Sequence, residues 1–261
     1  MKKTLIALLL VLILLGGCAK PAATDNTWAA LKEKGYIVMG LDDTFAPMGF
    51  RDNAGNIVGF DVDLANEVAK RLDIEIRFQP IDWTLKESEL NAGNIDLIWN
   101  GYTMTPGRKE QVNFTDPYME NSQLIVTMAG SEIQSKKDLA GKTIALQKDS
   151  SAYDAVMAEK DVVENLKQEP IQFDTNNEAF MDLEAGRVDA IVVDEVLARY
   201  YMKLRGEENY AVLEDDFGDE EYGVGVRKSD TELLEKLNAV LNEMKADGTF
   251  DEIRLKWFSD N

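Results

Sequence analysis

Short apolar runs rich in β-branched residues alternate along this chain with stretches of helical period. In the first half, strands are predicted at 36–41, 74–78 and 95–99, and helices at 60–72 and 82–92. The apolar residues of the first helix recur at i, i+4 and i+8, which places them on one face. The order βαβαβ is typical of a parallel sheet covered by helices, so we expect an α/β fold.

The same alternation returns in the second half. Strands are predicted there at 143–146, 171–173 and 189–193, and helices at 151–160, 177–185 and 195–204. We therefore predict two similar units in tandem, near 36–118 and 123–215. A strand at 222–226 and two helices follow, one marked by Leu234, Leu237, Leu241 and Met244 and one at 250–258. The pattern leaves open which unit these last elements pack against.

The N-terminus has the features of an export signal. Lys2 and Lys3 precede an apolar run at 5–15, and two glycines and Cys18 follow it. A charged start, a short apolar run and small residues are typical of a signal peptide, and the run is shorter than the roughly 20 residues that cross a bilayer. We predict that residues 1–17 are removed. The polar residues that follow, through residue 27, predict a flexible stalk.

The residues at 15–18, Leu-Gly-Gly-Cys, resemble the bacterial lipobox. The resemblance implies cleavage before Cys18 and lipidation of its thiol, so that residues 18–27 form a lipidated stalk. The alternative is an ordinary signal peptide with a chance cysteine. Against it stands the position of Cys18, the single cysteine of the chain.

Composition excludes several classes of function. The formal net charge is −20, which argues against nucleic-acid binding because phosphate contacts need clustered Lys and Arg. The chain has no histidine and one cysteine. Ser-His-Asp catalysis, Cys-His catalysis and the usual zinc sites are therefore excluded. We expect no metal and no cofactor, and only carboxylate, Lys, Tyr or Ser chemistry remains.

The segment after the predicted strand 95–99 carries candidate binding residues. Ligands of open α/β sheets bind beyond the carboxyl ends of the strands. Gly101 allows close approach to the backbone, Thr103 offers a hydroxyl, and Arg108 offers a planar fork suited to a carboxylate. A surface arginine after a Pro-Gly turn is the alternative reading of Arg108.

The second unit offers complementary groups. Asp194, after the predicted strand 189–193, is placed to receive an ammonium or to cap the next helix. Ser151, at a predicted helix start, is placed near outward backbone N–H groups that favour an anion, although helix capping by Ser150 or Ser151 explains the same residues.

Aromatic residues follow the first two predicted strands. Phe45 and Trp83 are placed to enclose a ligand side chain, or to pack in the core. Asp42 is placed to accept a donor from that side chain, or to cap its loop. Binding a zwitterion in a cleft requires a guanidinium for its carboxylate, a carboxylate for its ammonium and aromatic walls for its side chain. The candidate residues of the two units together supply these groups.

Five segments carry a resemblance that covers nearly the whole chain after the stalk. They are GFDVDL at 59–64, GYTMTPGR at 101–108, FTDPY at 114–118, DLEAGRVDA at 182–190 and YGVGVRK at 222–228. In this order they resemble the family 3 extracellular solute-binding proteins, the polar amino acid receptors of ABC importers. The resemblance implies a fold like that of type II periplasmic binding proteins, with two α/β lobes joined by two hinge strands. Lobe 1 would be 28–119 and 221–261, and lobe 2 would be 120–220.

The resemblance also implies roles for single residues. Arg108 matches the clamp for the ligand α-carboxylate, and Asp194 matches the holder of the α-ammonium. Gly101 and Thr103 match positions that bind these two groups through backbone and hydroxyl, and Ser151 matches a carboxylate-binding position of lobe 2. The side-chain pocket is matched by Asp42, Phe45 and Trp83.

Three positions depart from the family pattern. Trp99 and Asn100 replace small residues, which would narrow or reshape the pocket, so Asn100 is included among the ligand-binding residues. Asp149 stands where the family often has glycine, which affects the predicted anion site at Ser150 and Ser151.

The function implied is that of a monomeric receptor outside the cytoplasm, held to the membrane by the lipid on Cys18. It would bind a free polar L-amino acid of the glutamine, basic or cystine class and deliver it to an ABC importer permease. A second acidic contact from Glu120 would favour a cationic side chain. The alternatives are an enzyme resembling cyclohexadienyl dehydratases, with Glu120 or Glu178 as the acid, and the sensor component of a receptor.

Overall fold

The computed structural model describes residues 27–259. The predicted signal peptide at 1–17, the predicted lipidation site Cys18 and the stalk as far as residue 26 lie outside the described residues. Thr27, the last residue of the predicted stalk, begins the first helix instead. Within 27–259, no helix is both long enough and apolar enough to cross a bilayer.

Most strands are short, and two are long. The strands are β1 (Tyr36–Leu41), β2 (Thr44–Phe45), β3 (Gly49–Arg51), β4 (Ile57–Val58), β5 (Glu75–Pro80), β6 (Leu97–Ile98), β7 (Asn113–Phe114), β8 (Met119–Met128), β9 (Ile144–Gln147), β10 (Ile171–Phe173), β11 (Ala190–Asp194), β12 (Tyr210–Tyr222) and β13 (Gly225–Val226).

Helices fill most of the connections between the strands. They are α1 (Thr27–Lys34), α2 (Phe60–Arg71), α3 (Lys86–Ala92), α4 (Pro106–Gln111), α5 (Ser151–Ala158), α6 (Lys160–Val163), α7 (Asn176–Glu184), α8 (Glu195–Arg205), α9 (Thr231–Asp247) and α10 (Thr249–Phe258). Short 3₁₀ turns lie at Trp83–Leu85, Lys136–Leu139 and Glu207–Asn209.

The first sheet has the strand order β5-β1-β6-β13-β7. Strands β5, β1 and β6 run parallel, as the βαβαβ pattern predicts, whereas β13 runs antiparallel to both β6 and β7. The helix α2 buries Leu64 and Val68 in the same core cluster as Met39 and Leu41 of β1. The i, i+4 spacing of the two α2 residues explains why this face is the buried one.

The second sheet has the strand order β10-β9-β11-β8-β12. Here β10, β9 and β11 are parallel, and β8 and β12 are antiparallel to their neighbours. Ile144 and Leu146 of β9 pack with Val192 of β11 and Val156 of α5 in a separate apolar cluster. A buried aliphatic side chain of this kind stabilises the fold by about 1.5–3 kcal/mol.

Two chain crossings join the sheets. The strand β8 follows β7 of the first sheet and enters the second, and β12 leaves the second sheet for β13 of the first. They pair antiparallel from Met119↔Tyr222 to Met128↔Tyr210. This mixed α/β architecture, two sheets connected by a pair of long strands, is that of the type II periplasmic binding proteins. After the second crossing, α9 contacts α1 and α2, and α10 contacts α2.

A small third sheet, β2-β3-β4, lies beside the first. Phe45 pairs with Gly49, and Phe50 pairs with both Thr44 and Val58. This sheet holds Phe45 buried next to the end of β1.

Candidate functional site

The candidate site lies where loops of the two sheets meet. Asp42 directly follows β1 and Asn100 comes shortly after β6, whereas Gln147 ends β9 and Asp194 ends β11. Gln147 Nε2 donates to Asp42 Oδ2 at 2.7 Å, so a hydrogen bond joins the two sets of loops directly. The carboxyl ends of parallel strands thus converge from both sheets, where α/β proteins bind ligands.

Arg108 is buried in the first turn of α4, and backbone carbonyls hold its guanidinium. Thr105 caps the helix and accepts a hydrogen bond from the Arg108 backbone N–H. Arg108 Nη1 donates to the carbonyl of Thr103 at 3.1 Å and Nη2 to that of Asp149 at 3.3 Å. With 6% exposure and its Cζ 4.8 Å from the ring centre of Tyr102, Arg108 is not the surface arginine of the alternative reading.

Asp194 precedes α8, but its side chain makes no capping hydrogen bond to that helix. Its Oδ1 instead accepts from Asn121 Nδ2 and from the Tyr222 hydroxyl, both at 2.7 Å. Burial, and then the negative charge of Glu220, raise the pKa of Asp194 to about 7, whereas hydrogen bonds and the charge of Arg108 act to lower it. The helix-cap reading is therefore wrong, and a cation beside Asp194 would favour its ionised form.

Two buried hydroxyls face each other across the site. Thr103 Oγ1 and Ser151 Oγ are 3.1 Å apart, and they come from the loop after β6 and from the first turn of α5. Ser150, not Ser151, caps α5 by accepting from the Tyr153 N–H. The hydroxyl of Ser151 is therefore free of a capping role.

Gly101 is fixed by a buried carboxylate. Its N–H donates to Asp61 Oδ2 at 2.7 Å, and its φ of +56° lies in the left-handed region. A Cβ at this position would lie 2.9 Å from Phe45 Cε1 and 3.2 Å from Tyr222 Cζ. Both the backbone conformation and the close approach of two rings therefore require glycine.

Asn100 and Trp99 play different parts in this structure. Asn100 is 1% exposed, and its Oδ1 accepts from the Asp42 N–H at 3.1 Å. Trp99 is buried, with its ring 6.1 Å from that of Tyr118, so it packs in the core. Asn100 thus stabilises the loop that carries Asp42 by a hydrogen bond, whereas Trp99 contributes packing in the core.

Asp42 both caps its own loop and reaches the second sheet. Its Oδ1 accepts from the Thr44 N–H at 2.9 Å and from the Thr44 hydroxyl at 2.6 Å. Burial raises the pKa of Asp42, and hydrogen bonds from Thr44 and Gln147 partly offset this. Gln147 is oriented in turn, because its Oε1 accepts from Asn176 Nδ2 at 3.0 Å.

Trp83 lies at the edge of the site. Its ring stands perpendicular to that of Tyr102 at 5.8 Å, and its carbonyl accepts from Lys86 Nζ at 3.1 Å. The same Nζ donates to Asp149 Oδ2 at 3.1 Å across the two loops. Asp149 has a φ of +58°, which aspartate tolerates, so the turn keeps the left-handed conformation that glycine favours.

A groove of about 920 Å³ opens beside the hydroxyl pair. Its lining includes Thr103 and Ser151 together with the carboxylates of Glu120, Glu195 and Glu220. Many carboxylates in one groove give it a negative potential.

Comparison with known proteins adds to this geometry. Residues 37–260 match the bacterial extracellular solute-binding proteins, family 3. The chain belongs to this family. The similar proteins include the L-cystine-binding protein TcyJ of Escherichia coli K12, which is 28% identical over 98% of this chain and 95% of its own length.

Solved structures of similar proteins superpose closely on this chain. An ABC uptake transporter substrate binding protein from Streptococcus pneumoniae with bound histidine has a TM-score of 0.87 and 41% identity, covering 90% of this chain and 97% of its own. The ancestral amino acid-binding protein AncCDT-1, a precursor of cyclohexadienyl dehydratase, has a TM-score of 0.81 and 35% identity, covering 89% and 100%.

The structure of this solute-binding protein brings most of the predicted site residues together. Around the meeting loops lie Asp42, Phe45, Asn100, Gly101, Thr103, Arg108, Ser151 and Asp194. Trp83 lies at the edge of this group, in contact with Tyr102 and Lys86.

Sequence reasoning missed four polar residues of the site. They are Gln147, Asn121, Gln123 and Glu220. Glu220 lies two residues before the segment YGVGVRK, whose resemblance to the family was the sequence feature nearest to it.

The two carboxylates considered for an enzymatic acid do not lie buried in the site. Glu120 is exposed on β8, opposite Glu221 of β12. Glu178 forms a capping box with Thr175 at the start of α7. Both side chains are exposed, so neither belongs to the buried charged groups of the site.

Proposed function

We propose that this protein is a receptor outside the cytoplasm that binds a free polar L-amino acid and delivers it to an ABC importer. One observation carries the proposal: two buried groups of opposite charge meet at one site, Arg108 in α4 beside the first sheet and Asp194 at the end of β11 in the second. Hydrogen bonds link the two residues: Arg108 donates to the Thr103 carbonyl, the Thr103 hydroxyl donates to Glu220, and Asn121 Nδ2 donates to both Glu220 and Asp194. A zwitterion presents the two complementary charges that such a pair needs.

The polar groups divide naturally between the two ends of the ligand. Arg108 uses two of its N–H groups on carbonyls, and those that remain are suited to the α-carboxylate together with the hydroxyls of Thr103 and Ser151. Asp194 and the backbone at Gly101 would receive the α-ammonium.

The ligand side chain would extend toward Asp42 and Phe45. Asp42 is buried but its carboxylate is surrounded by donors from Thr44 and Gln147, so this end of the site is polar. Asn100 and Trp83 complete the proposed pocket. A polar end next to an aromatic ring supports glutamine, a basic amino acid or cystine as the ligand class.

We assign residues 28–119 and 221–259 to lobe 1 and residues 120–220 to lobe 2; residues 260 and 261, also predicted in lobe 1, lie outside the described residues. The two crossing strands would form the hinge, and the ligand would stabilise closure by contacting both lobes. The passage of β8 and β12 between the two sheets supports this assignment. The contacts that join the two lobes are Lys86 with Asp149, Asp42 with Gln147, and the Tyr201 hydroxyl with the Thr44 carbonyl at 3.2 Å.

Export and anchoring belong to the same proposal. The signal peptide at 1–17 would be removed, and a lipid on Cys18 would hold the monomeric receptor at the membrane next to its permease. The motif at 15–18 supports this placement.

The test is thermal unfolding of the purified protein with each standard amino acid, cystine and ornithine in turn. A true ligand raises the unfolding temperature by mass action. We expect one amino acid, or one chemically related group, to stand out. If none raises the unfolding temperature and the protein instead converts prephenate or arogenate, the dehydratase-like alternative would replace this proposal.

Asp194 gives the site a pH dependence. Its pKa is about 7, and an ammonium binds the ionised carboxylate, so affinity should fall as the pH drops below about 7. The expected loss is about tenfold for each pH unit until the carboxylate of the complex itself takes up the proton. Calorimetric titration between pH 5.5 and 8 measures it. The Asp194→Asn variant should bind weakly with a flatter profile, and an unchanged slope in that variant would count against the role of Asp194.

A further inference from the structure

Glu220 is the acceptor on which the polar groups of the candidate site converge. It lies near the end of β12, one of the two crossing strands, and is half-buried. Its Oε2 accepts from Thr103 Oγ1 at 3.1 Å and from Ser151 Oγ at 3.2 Å. A single oxygen of Glu220 therefore accepts from one hydroxyl next to the first sheet and from one next to the second.

Two amides of the other crossing strand complete the surroundings of this oxygen. Gln123 Nε2 donates to it at 2.9 Å and Asn121 Nδ2 at 3.2 Å. Hydrogen bonds to an ionised acceptor are among the stronger ones in proteins. The side chain is thus held by four donors from three parts of the chain, and its position is not that of a solvated surface glutamate.

The hydroxyls of Thr103 and Ser151 are the groups that we assigned to the ligand α-carboxylate. A hydroxyl has one hydrogen, so one that donates to Glu220 has none left for a second carboxylate. Glu220 also adds a negative charge close to the place where the ligand's own negative charge would lie. Like charges in a partly desolvated site repel strongly.

We propose that Glu220 is an internal competitor of the ligand, whose carboxylate occupies the Thr103–Ser151 hydroxyl pair and must leave it when an amino acid binds. The inference rests on the proposed function. Binding is then an exchange of carboxylates. The hydroxyls of Thr103 and Ser151 stop donating to Glu220 and donate to the ligand, and the Glu220 side chain turns toward the adjacent groove. Glu220 then limits affinity for any ligand that carries an α-carboxylate.

The experiment compares two ligands and three proteins. The ligands are the amino acid found by the unfolding screen and its α-carboxamide, which keeps the ammonium and side chain but lacks the negative carboxylate. The proteins are the wild type, Glu220→Gln, and Glu221→Gln. Glu221 is an exposed neighbour on β12, so its variant controls for the loss of one negative charge near the hinge.

We expect Glu220→Gln to bind the amino acid about tenfold more tightly by calorimetry, the effect of one hydrogen bond to a charged group. The carboxamide should show no comparable gain, and Glu221→Gln should bind both ligands like the wild type. Equal or weaker amino acid binding by Glu220→Gln would overturn the competition. Weaker binding in particular would mean that Glu220 holds the ligand ammonium.

A second measurement does not depend on any ligand. The carboxyl pKa of Asp194, followed by NMR in the ligand-free protein, should fall in Glu220→Gln because a neighbouring negative charge is lost. An unchanged value would overturn the placement of Glu220 and with it the proposal. If the wild type bound no amino acid at all, the proposed function would be wrong. A lowered Asp194 pKa in Glu220→Gln would then still show that Glu220 is placed as described.

Discussion

The Arg108→Ala variant is expected to lose about 2–5 kcal/mol of amino acid binding free energy, which corresponds to a loss of roughly 30-fold or more in affinity. Arg108 is 6% exposed, and its neighbours Thr103 and Tyr102 are buried as well. Removing the guanidinium would leave the ligand carboxylate without its countercharge in a site lined by buried side chains. Isothermal calorimetry with the amino acid identified by unfolding measures this loss.

Two further variants accompany Arg108→Ala: one separates the charge of Arg108 from its geometry, and one is a control. Arg108→Lys keeps the charge but loses the planar fork, so it should recover only part of the affinity. Arg199→Ala removes a cation from the exposed face of α8, where Arg199 pairs with Glu195, and should bind like the wild type. Unchanged affinity in Arg108→Ala, with thermal stability also unchanged, would remove Arg108 from the site.

We expect the titration of Asp61 to have the largest effect on the free energy of unfolding. Burial raises its pKa in the folded protein to about 7, although hydrogen bonds from Gly101 and Tyr118 lower it in part. The unfolded value is near the usual 3.9, so the folded state holds a proton that the unfolded state releases between about pH 4 and 7. The free energy of unfolding should therefore fall as the pH rises through this range, by roughly 4 kcal/mol from this group.

The Asp61→Asn variant tests the effect because it cannot titrate. An amide keeps one oxygen to accept from Gly101 and Tyr118, but it buries an additional amino group. We expect the variant to be clearly less stable than the wild type at pH 4, and this gap to close or reverse by pH 8. Urea denaturation at several pH values measures it, with the exposed Asp116→Asn as control. A gap that stays constant with pH would contradict the raised pKa.

The sequence predicted the regular elements well where one periodicity dominates. The strand β1 and the short strand β10 have the predicted bounds, and α2 and α8 differ from prediction by one residue at one end. The spacing of apolar residues marks the buried face of α2 and α8, and an aspartate directly follows both β1 and β10. Local pattern is sufficient there because neighbours in sequence decide burial.

The crossing strands and the small sheet were not accessible to local pattern. The partners in the β8–β12 pairing are far apart in the chain, for instance Met119 and Tyr222. Register shifts near Asp216 interrupt the alternation of faces along β12. The two-residue strands β2 and β4 are too short to carry a period at all.

The same interruption explains why Glu220 was missed. It lies in an acidic run, and without regular alternation the sequence does not tell which of the neighbouring carboxylates turns toward the site. Asp61 was missed for another reason: it sits among the first residues of a helix, where acidic residues are common. Only tertiary packing shows that its carboxylate is buried against Gly101.

The central claim is that an amino acid binds between the two sheets with its two charged groups on Arg108 and Asp194. A crystal structure of the protein with the amino acid that most raises its unfolding temperature tests this claim most directly. We expect the α-carboxylate on Arg108, the α-ammonium on Asp194, and Glu220 turned away from Thr103 and Ser151. An amino acid bound elsewhere, or one whose carboxylate does not contact Arg108, would contradict it.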